Sequence, residues 1–276
     1  MNNNKNFIII TGCDSGIGKS LARTLSSNGY KIVITYLENN PFPGNKNISA
    51  YKLDLRDEKN IHSFTDKIKT LCARGFNLSY LINNAGVALG GPVENIPLKI
   101  FREVFEVNFF GLLSLTQKLI PHLIANKGRI IIVGSMAGKI ALPFLSPYNS
   151  TKFALEGFAD SLRRELNPFG IKTILLEISG VNTPIWTKAK NQDISFVEKK
   201  YLDSLKEFEI KFIDTAQKAM SPDKAALKII KVITKKNPKP RYIISENNFT
   251  TFLPMLIPAR LFDKLISMMF KMDYGE

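Results

Sequence analysis

The chain has few of the residues that build disulfide frameworks and metal centres. Its 276 residues hold 2 Cys and 2 His. Cys13 and Cys72 do not make a disulfide framework, and no cluster of ligands surrounds His62 or His122, so neither a disulfide scaffold nor a metal site is expected. Pro/Ser-rich linkers and internal repeats are missing too, and a chain of this length can form one large core, which implies a single domain. Met1 to Asn6 is polar and lacks the apolar h-region of a signal peptide, so a cytoplasmic protein is expected. The most apolar stretch, Phe252 to Phe270, is broken by Pro254, Pro258, Arg260, Asp263 and Lys264 before the roughly 20 residues a membrane span needs. Acidic residues are scarce, at 24 against 38 Lys and Arg, for a net charge of +14. Residues 188–241 carry 14 Lys/Arg against 7 Asp/Glu, half of that excess. Such a region suits nucleic acid, an anionic membrane surface or a phosphorylated substrate. No nucleic-acid motif accompanies it, and lysines at helical spacing make a solvated face, so nucleic acid is not expected as a partner.

What the chain does have is a series of short apolar, β-branched runs. Residues 7–11, 31–36, 48–53, 78–82, 129–133, 171–177 and 241–244 read as strands buried on both faces, with helices in the intervals. This predicts an α/β fold with a doubly wound parallel sheet. Ligands of such sheets bind at the carboxyl edge.

Two stretches carry chemistry at that edge. The first strand opens into Gly12-Cys13-Asp14-Ser15-Gly16-Ile17-Gly18 and then a helix. Glycines there let backbone approach a pyrophosphate, and the helix N-terminus offers amide donors. Cys13 is either a small turn-filling residue or a reactive thiol. In the second stretch, Arg129-Ile-Ile-Ile-Val133 is followed by Gly134-Ser135 and, thirteen residues on, by Tyr148, with Lys152 one helical turn later. Residues four apart share a helix face, which brings the Lys152 ammonium near the phenol. A phenol of pKa near 10 is phenolate in roughly one molecule in a thousand at pH 7. A nearby cation, with the charge of an oxidised nicotinamide, is expected to draw that pKa toward neutrality, and Ser135 would hold the same oxygen. Taken alone, a Tyr and a Lys at this spacing are more often structural than catalytic. Ser135 and the glycine turn make the catalytic reading the stronger one.

Thr11-Gly12-x3-Gly16-Ile17-Gly18, Asn83-Asn84-Ala85-Gly86, Asn108, Ser135 and Tyr148-x3-Lys152 together resemble the short-chain dehydrogenase/reductase family, in order and spacing, over about the first 185 residues. Gly12 to Gly16 and Asp160 to Leu166 are similar to the branch of retinol, 17β-hydroxysteroid and 3-hydroxybutyrate dehydrogenases. The resemblance implies a Rossmann-type fold and hydride exchange between a nicotinamide cofactor and an alcohol or ketone. Tyr148 would be the acid/base, Lys152 would lower its pKa, Ser135 would orient the substrate oxygen, and Asn108 would hold a kink and a relay water. Gly12, Asp14, Ser15, Gly16, Ile17, Gly18, Leu37, Asp54, Leu55, Asn84, Ala85, Gly86, Tyr148, Lys152 and Thr183 would contact the cofactor. For Asp54 a helix-capping role stays open beside adenine binding. The second strand ends without the arginine that relatives use for a 2′-phosphate, and Asp14 would repel one, so NAD(H) is favoured and NADP(H) remains possible. Ile178-Ser179 departs from the family's Pro-Gly after the sixth strand. Relatives pair helices equivalent to those of Asn108 and Tyr148, which implies a homodimer or homotetramer. The apolar character of residues 109–119 and 153–162 around their whole circumference fits that pairing.

Beyond a core of residues 7–183, residues 184–220 are expected as helices over a substrate cleft. Residues 89–92 and 141–145 and Trp186 are candidate apolar lining. These features predict a lipophilic alcohol or ketone, of steroid, retinoid or acyl type. Two other readings are an NADPH-dependent ketoreductase of a lipid or acyl-glycerone phosphate, and a non-catalytic sensor of the cofactor. In the extension 250–272, Leu261, Phe262, Leu265, Ile266, Met269 and Phe270 recur at helical spacing opposite Asp263, Lys264, Ser267 and Lys271. That face needs cover: the domain itself, a second subunit, or a membrane surface that it would touch peripherally without crossing.

Overall fold

β-Branched runs become strands where both faces can be buried, and the fold is organised around β5 (Arg129–Val133), in which every residue is buried. The computed structural model describes residues 5–217 and 219–272. The other strands are β1 (Asn6–Ile10), β2 (Lys31–Tyr36), β3 (Ile48–Lys52), β4 (Asn77–Asn83), β6 (Lys172–Ile178) and β7 (Arg241–Ile244). All pair in parallel in the order β3-β2-β1-β4-β5-β6-β7. The order reverses between β1 and β4, which opens a crevice at the carboxyl ends of the strands. The seven strands lie within two residues of their sequence-read positions.

Alternation along the strands feeds two apolar layers. Ile8, Ile10, Ile131 and Ile174 face α1 (Gly16–Ser27) and α9 (Pro222–Ile233). Ile9, Leu81, Ile130 and Ile132 face α2 (Glu58–Ala73), α4 (Gly111–Ala125) and α5 (Ser146–Leu166). Each fully buried Leu or Ile in these layers contributes about 1.5–3 kcal/mol. Arg129, a buried cation, donates to the carbonyls of Ile233 and Lys235 at the end of α9. It thereby answers acceptors that a helix C-terminus leaves unpaired.

A helical rod runs from α3 (Leu98–Phe105) through a π turn, Glu106–Phe110, into α4. At Asn108, where the resemblance implied a kink, the backbone widens by one residue. Above the carboxyl edge lie α6 (Pro184–Lys190), α7 (Lys199–Phe208), a second π turn (Glu209–Ile213) and α8 (Asp214–Gln217). The chain ends in α10 (Asn248–Phe252), a 3-10 turn (Leu253–Leu256) and α11 (Ala259–Met269). Among the described residues no helix is long and apolar enough to cross a membrane.

Candidate active site

A cavity of about 1030 Å³ follows the carboxyl edge from the glycine turn to α11. At its nucleotide end the backbone demands glycine. Gly12 and Gly16 have φ of +66° and +57°, and a Cβ on Gly12 would stand 2.6 Å from the Ala85 Cα. On Gly18 it would meet Asn84 Nδ2 and the Gly12 carbonyl, each at 2.5 Å. Asn84 ties the two loops together by donating from Nδ2 to the carbonyls of Thr11 (2.8 Å) and Gly12 (3.0 Å). The Thr11 hydroxyl accepts from the amides of Asn84 and Ala85, both at 3.0 Å. Ser15 makes no side-chain cap to α1, which leaves the first-turn amides turned toward the cavity for an anion. The turn therefore fits a dinucleotide pyrophosphate.

Asp14 accepts from the amides of Leu37 (3.0 Å), Glu38 (2.7 Å) and Asn39 (3.2 Å), which pins its carboxylate at the end of β2. Lys188 pairs with Glu38 at 2.8 Å beside it. Asp54 is held by Arg56 (2.8 Å), whose guanidinium and backbone amide keep the carboxyl below its ordinary range. The cap of α2 is Asp57, not Asp54.

Ser135 ends β5 and Tyr148 and Lys152 lie on the buried face of α5. The Ser135 hydroxyl accepts from the Ala137 amide at 3.1 Å and lies near enough to the Tyr148 phenol to favour its anion. The Lys152 ammonium donates to the Val133 carbonyl at 3.0 Å and sits 5.5 Å from the centre of the Tyr148 ring. Burial lowers the Lys152 pKa to about 8. The expected depression of the Tyr148 pKa is not found: burial pushes the phenol up, and only the nearby Ser135 works the other way. The reason lies in the packing. Trp186 stands edge-on to the Tyr148 ring at 6.1 Å and excludes water, while the lysine cation is held to a carbonyl. The nicotinamide charge that the sequence reading added belongs to the cofactor and not to the chain.

Behind these groups Asn108 is fully occupied. Its Oδ1 accepts from the Val87 amide (2.8 Å), and its Nδ2 donates to the Val87 carbonyl (2.9 Å) and Thr151 Oγ1 (3.1 Å). The loop after Ser135 is also fastened by buried charge: Lys139 pairs with Glu156 at 2.7 Å, and Arg241 of β7 reaches Glu156 at 3.2 Å. Cys13 is wholly buried, its thiol raised in pKa and directed at the Ile10 carbonyl, as a turn-filling residue would be.

The cavity brings together Gly12, Asp14, Ser15, Gly16, Ile17, Leu37, Asp54, Leu55, Asn84, Ala85, Gly86, Ser135, Tyr148, Lys152 and Thr183. Gly18 and Asn108 do not line it and act from behind. At the apolar end, Leu89, Leu142, Leu145 and Trp186 line the wall, whereas residues 90–92 do not. Phe144 instead turns into a buried cluster with Phe208. The strand-loop departure is mild: β6 continues through Ile178, and the Ser179 amide bonds to the Ile244 carbonyl at 3.0 Å. Sequence reasoning missed Arg56, Lys188 and Phe212 as lining, and missed Gln192, which clamps Gly90 through both of its backbone groups. No local pattern marks any of them.

The family model described as short chain dehydrogenase matches residues 6–194. An NADPH-dependent 3-dehydrocapnine reductase of Ornithobacterium rhinotracheale is 32% identical over 274 residues, covering 94% of this chain and 95% of that protein. An NADPH-dependent 1-acyldihydroxyacetone phosphate reductase of Saccharomyces cerevisiae is 28% identical, covering 98% and 92%. Among solved structures, a short-chain dehydrogenase from Streptomyces avermitilis superposes with a TM-score of 0.74 at 22% identity, covering 100% of this chain and 99% of that one.

Proposed function

The chain belongs to the short chain dehydrogenase family and is an NAD(P)-dependent oxidoreductase, and we propose that it interconverts a lipophilic secondary alcohol and its ketone, with NAD(H) as the favoured cofactor. The observation that carries the reading is the Ser135–Tyr148–Lys152 cluster at the floor of a cavity whose far wall is apolar. When bound, the nicotinamide supplies the hydride exchange. Tyr148 gives its phenolic proton to the carbonyl oxygen on reduction and takes it back on oxidation. Ser135 holds that oxygen and stabilises the phenolate. Lys152, with a pKa near 8, sits close enough to neutrality to pass a proton on, and Asn108 keeps the Val87 loop against the cluster. Asp54 and Leu55 would hold the adenine, Thr183 would hold the carboxamide, and the Asn84–Gly86 loop would lie along the cofactor.

Asp14 supports the NAD(H) preference: its carboxylate already holds the Leu37 and Glu38 amides, leaving an acidic site where a 2′-phosphate would come. NADP(H) is the second reading. Two relatives are NADPH-dependent reductases, which favours it, and so does Lys188, which is free to leave Glu38 for a phosphate. The α6–α8 segment and residues 250–272 form the substrate lid, and a homo-oligomer is inferred through the faces that expose Phe110 and Phe153.

The test is Tyr148→Phe, assayed for turnover over lipophilic ketones and alcohols and titrated with NADH and NADPH by fluorescence. General acid/base catalysis is worth about 10² to 10⁴-fold, so turnover should fall by that much while NADH still binds more tightly than NADPH. Activity above about a tenth of wild type would overturn the assignment of the phenol. A tighter NADPH constant would transfer the proposal to the second reading.

A further inference from the structure

The lid has two apolar sides. Its inner side faces the cavity through Pro254, Phe262, Ile266 and Met269, and Phe270 is buried against Phe208. Its outer side should then be polar. Instead, half of the large exposed apolar side chains among the described residues fall within residues 249–269. Phe249 is 74% exposed, Leu256 65% and Met268 68%, with Phe252, Leu261 and Leu265 between them. On α11, Leu261, Leu265 and Met268 form one outward stripe at i, i+4, i+7. Arg260 and Lys264 run along its edge, exposed and paired with no described carboxylate. Contiguous apolar surface of this kind marks an interaction site.

We propose that this outer face docks the enzyme peripherally on an anionic lipid bilayer, with α10 and α11 lying in the headgroup boundary. Charge selects the bilayer over a second copy of the chain. A two-fold contact through this stripe would bring like cations of the two copies together, whereas anionic headgroups answer them. α9 lies against the start of the lid, where Lys224 is neutralised by Glu246 while Lys228, bonded only to backbone carbonyls, adds a further cation beside the segment. The stripe of apolar residues flanked by Lys and Arg is the pattern of interfacial helices. Only one part of the inference rests on the lipophilic-substrate reading: the same helix that enters the lipid also roofs the cavity, so a substrate dissolved in the bilayer would enter beneath it.

Flotation of the full chain with phosphatidylcholine vesicles, with and without about 30 mol% phosphatidylglycerol, tests the docking without any turnover assay. Wild type should float with the anionic vesicles, weakly with the neutral ones, and less as salt rises. Leu261→Ser/Leu265→Ser/Met268→Ser changes only outward residues and should lower partitioning at least tenfold. Arg260→Gln/Lys264→Gln should remove most of the anionic preference. The melting temperature of each variant checks that it folds. Wild type that floats with neither vesicle overturns the proposal, as does a triple variant that floats as well as wild type. A triple variant that turns a wild-type dimer into a monomer, with no vesicle binding in either, assigns the face to a second copy. Wild type that floats with the anionic vesicles but turns over no lipophilic alcohol or ketone would count against the reaction assigned above and leave the docking intact.

Discussion

Asn108→Asp exchanges one amide nitrogen for oxygen and leaves volume and shape almost unchanged, yet it should be among the more damaging single changes in the chain. Asn108 is buried, and its Nδ2 donates both to the Val87 carbonyl and to Thr151 Oγ1. The Thr151 hydroxyl cannot reverse its bond, because its own hydrogen goes to the Tyr148 carbonyl at 2.7 Å. The substitution therefore sets an acceptor against two acceptors. Each unmet buried partner costs about 1–3 kcal/mol, so the loss should be about 4 kcal/mol. At about 2–4 °C per kcal/mol for a domain of this size, the melting temperature should fall by about 8–16 °C. The effect should also depend on pH. Burial raises the pKa of the introduced carboxyl above its unfolded value, so the folded state binds the extra proton more tightly. Stability relative to wild type is then lost as pH rises through that raised pKa, and the gap in melting temperature should be wider at pH 8 than at pH 5. Thermal melts of both proteins at the two values decide it. A fall below about 3 °C, or a gap indifferent to pH, would mean that the amide does not carry the bonds described.

Lys152→Met should abolish most turnover yet not destabilise the fold at pH 7. With its pKa lowered to about 8, the buried ammonium is disfavoured by folding at every pH below that value. Wild type should therefore gain stability relative to the variant between pH 8 and the ordinary lysine range, as melts against pH would show; a variant much less stable at pH 7 would contradict this. Phe270→Ala removes the ring that packs on Phe208 at 5.4 Å. It should raise KM for long-chain substrates about tenfold while kcat for short soluble ones holds, and equal effects on both would argue against a lid. Light scattering at micromolar concentration should give a dimer or tetramer, and Phe110→Glu/Phe153→Glu should shift it to monomer; wild type found only as monomer would end the oligomer proposal.

The strands were legible because runs such as Ile130 to Val133 are buried on both faces, where periodicity and burial coincide. The glycine turn was legible because Gly12 and Gly16 need positive φ, and the Tyr148–Lys152 pair because one helical turn fixes which side chains meet. Long-range partners were not legible. Asp14 finds amides 23 to 25 residues away, and Gln192 clamps a glycine 102 residues away. The burial of Tyr148 was not legible either, because spacing places a lysine but cannot place Trp186, which belongs to α6 and stands edge-on to the phenol ring. Helical periodicity also marked α11 as apolar without resolving its two sides. Phe262 and Ile266 turn inward, whereas Leu261 and Leu265 turn out.

The π turn at Glu106–Phe110 acts as a one-residue insertion in an otherwise regular rod. A single-codon deletion inside it would restore ordinary α winding and make the helix locally better formed. The wide turn absorbs its extra residue locally, so Val104 on one side and the four buried leucines of α4, Leu112, Leu115, Leu119 and Leu123, on the other would keep their phase. The change would fall on the turn itself: Asn108 would lose the position from which it holds both backbone groups of Val87 and reaches Thr151. A comparison of helix propensities alone would score that allele as an improvement.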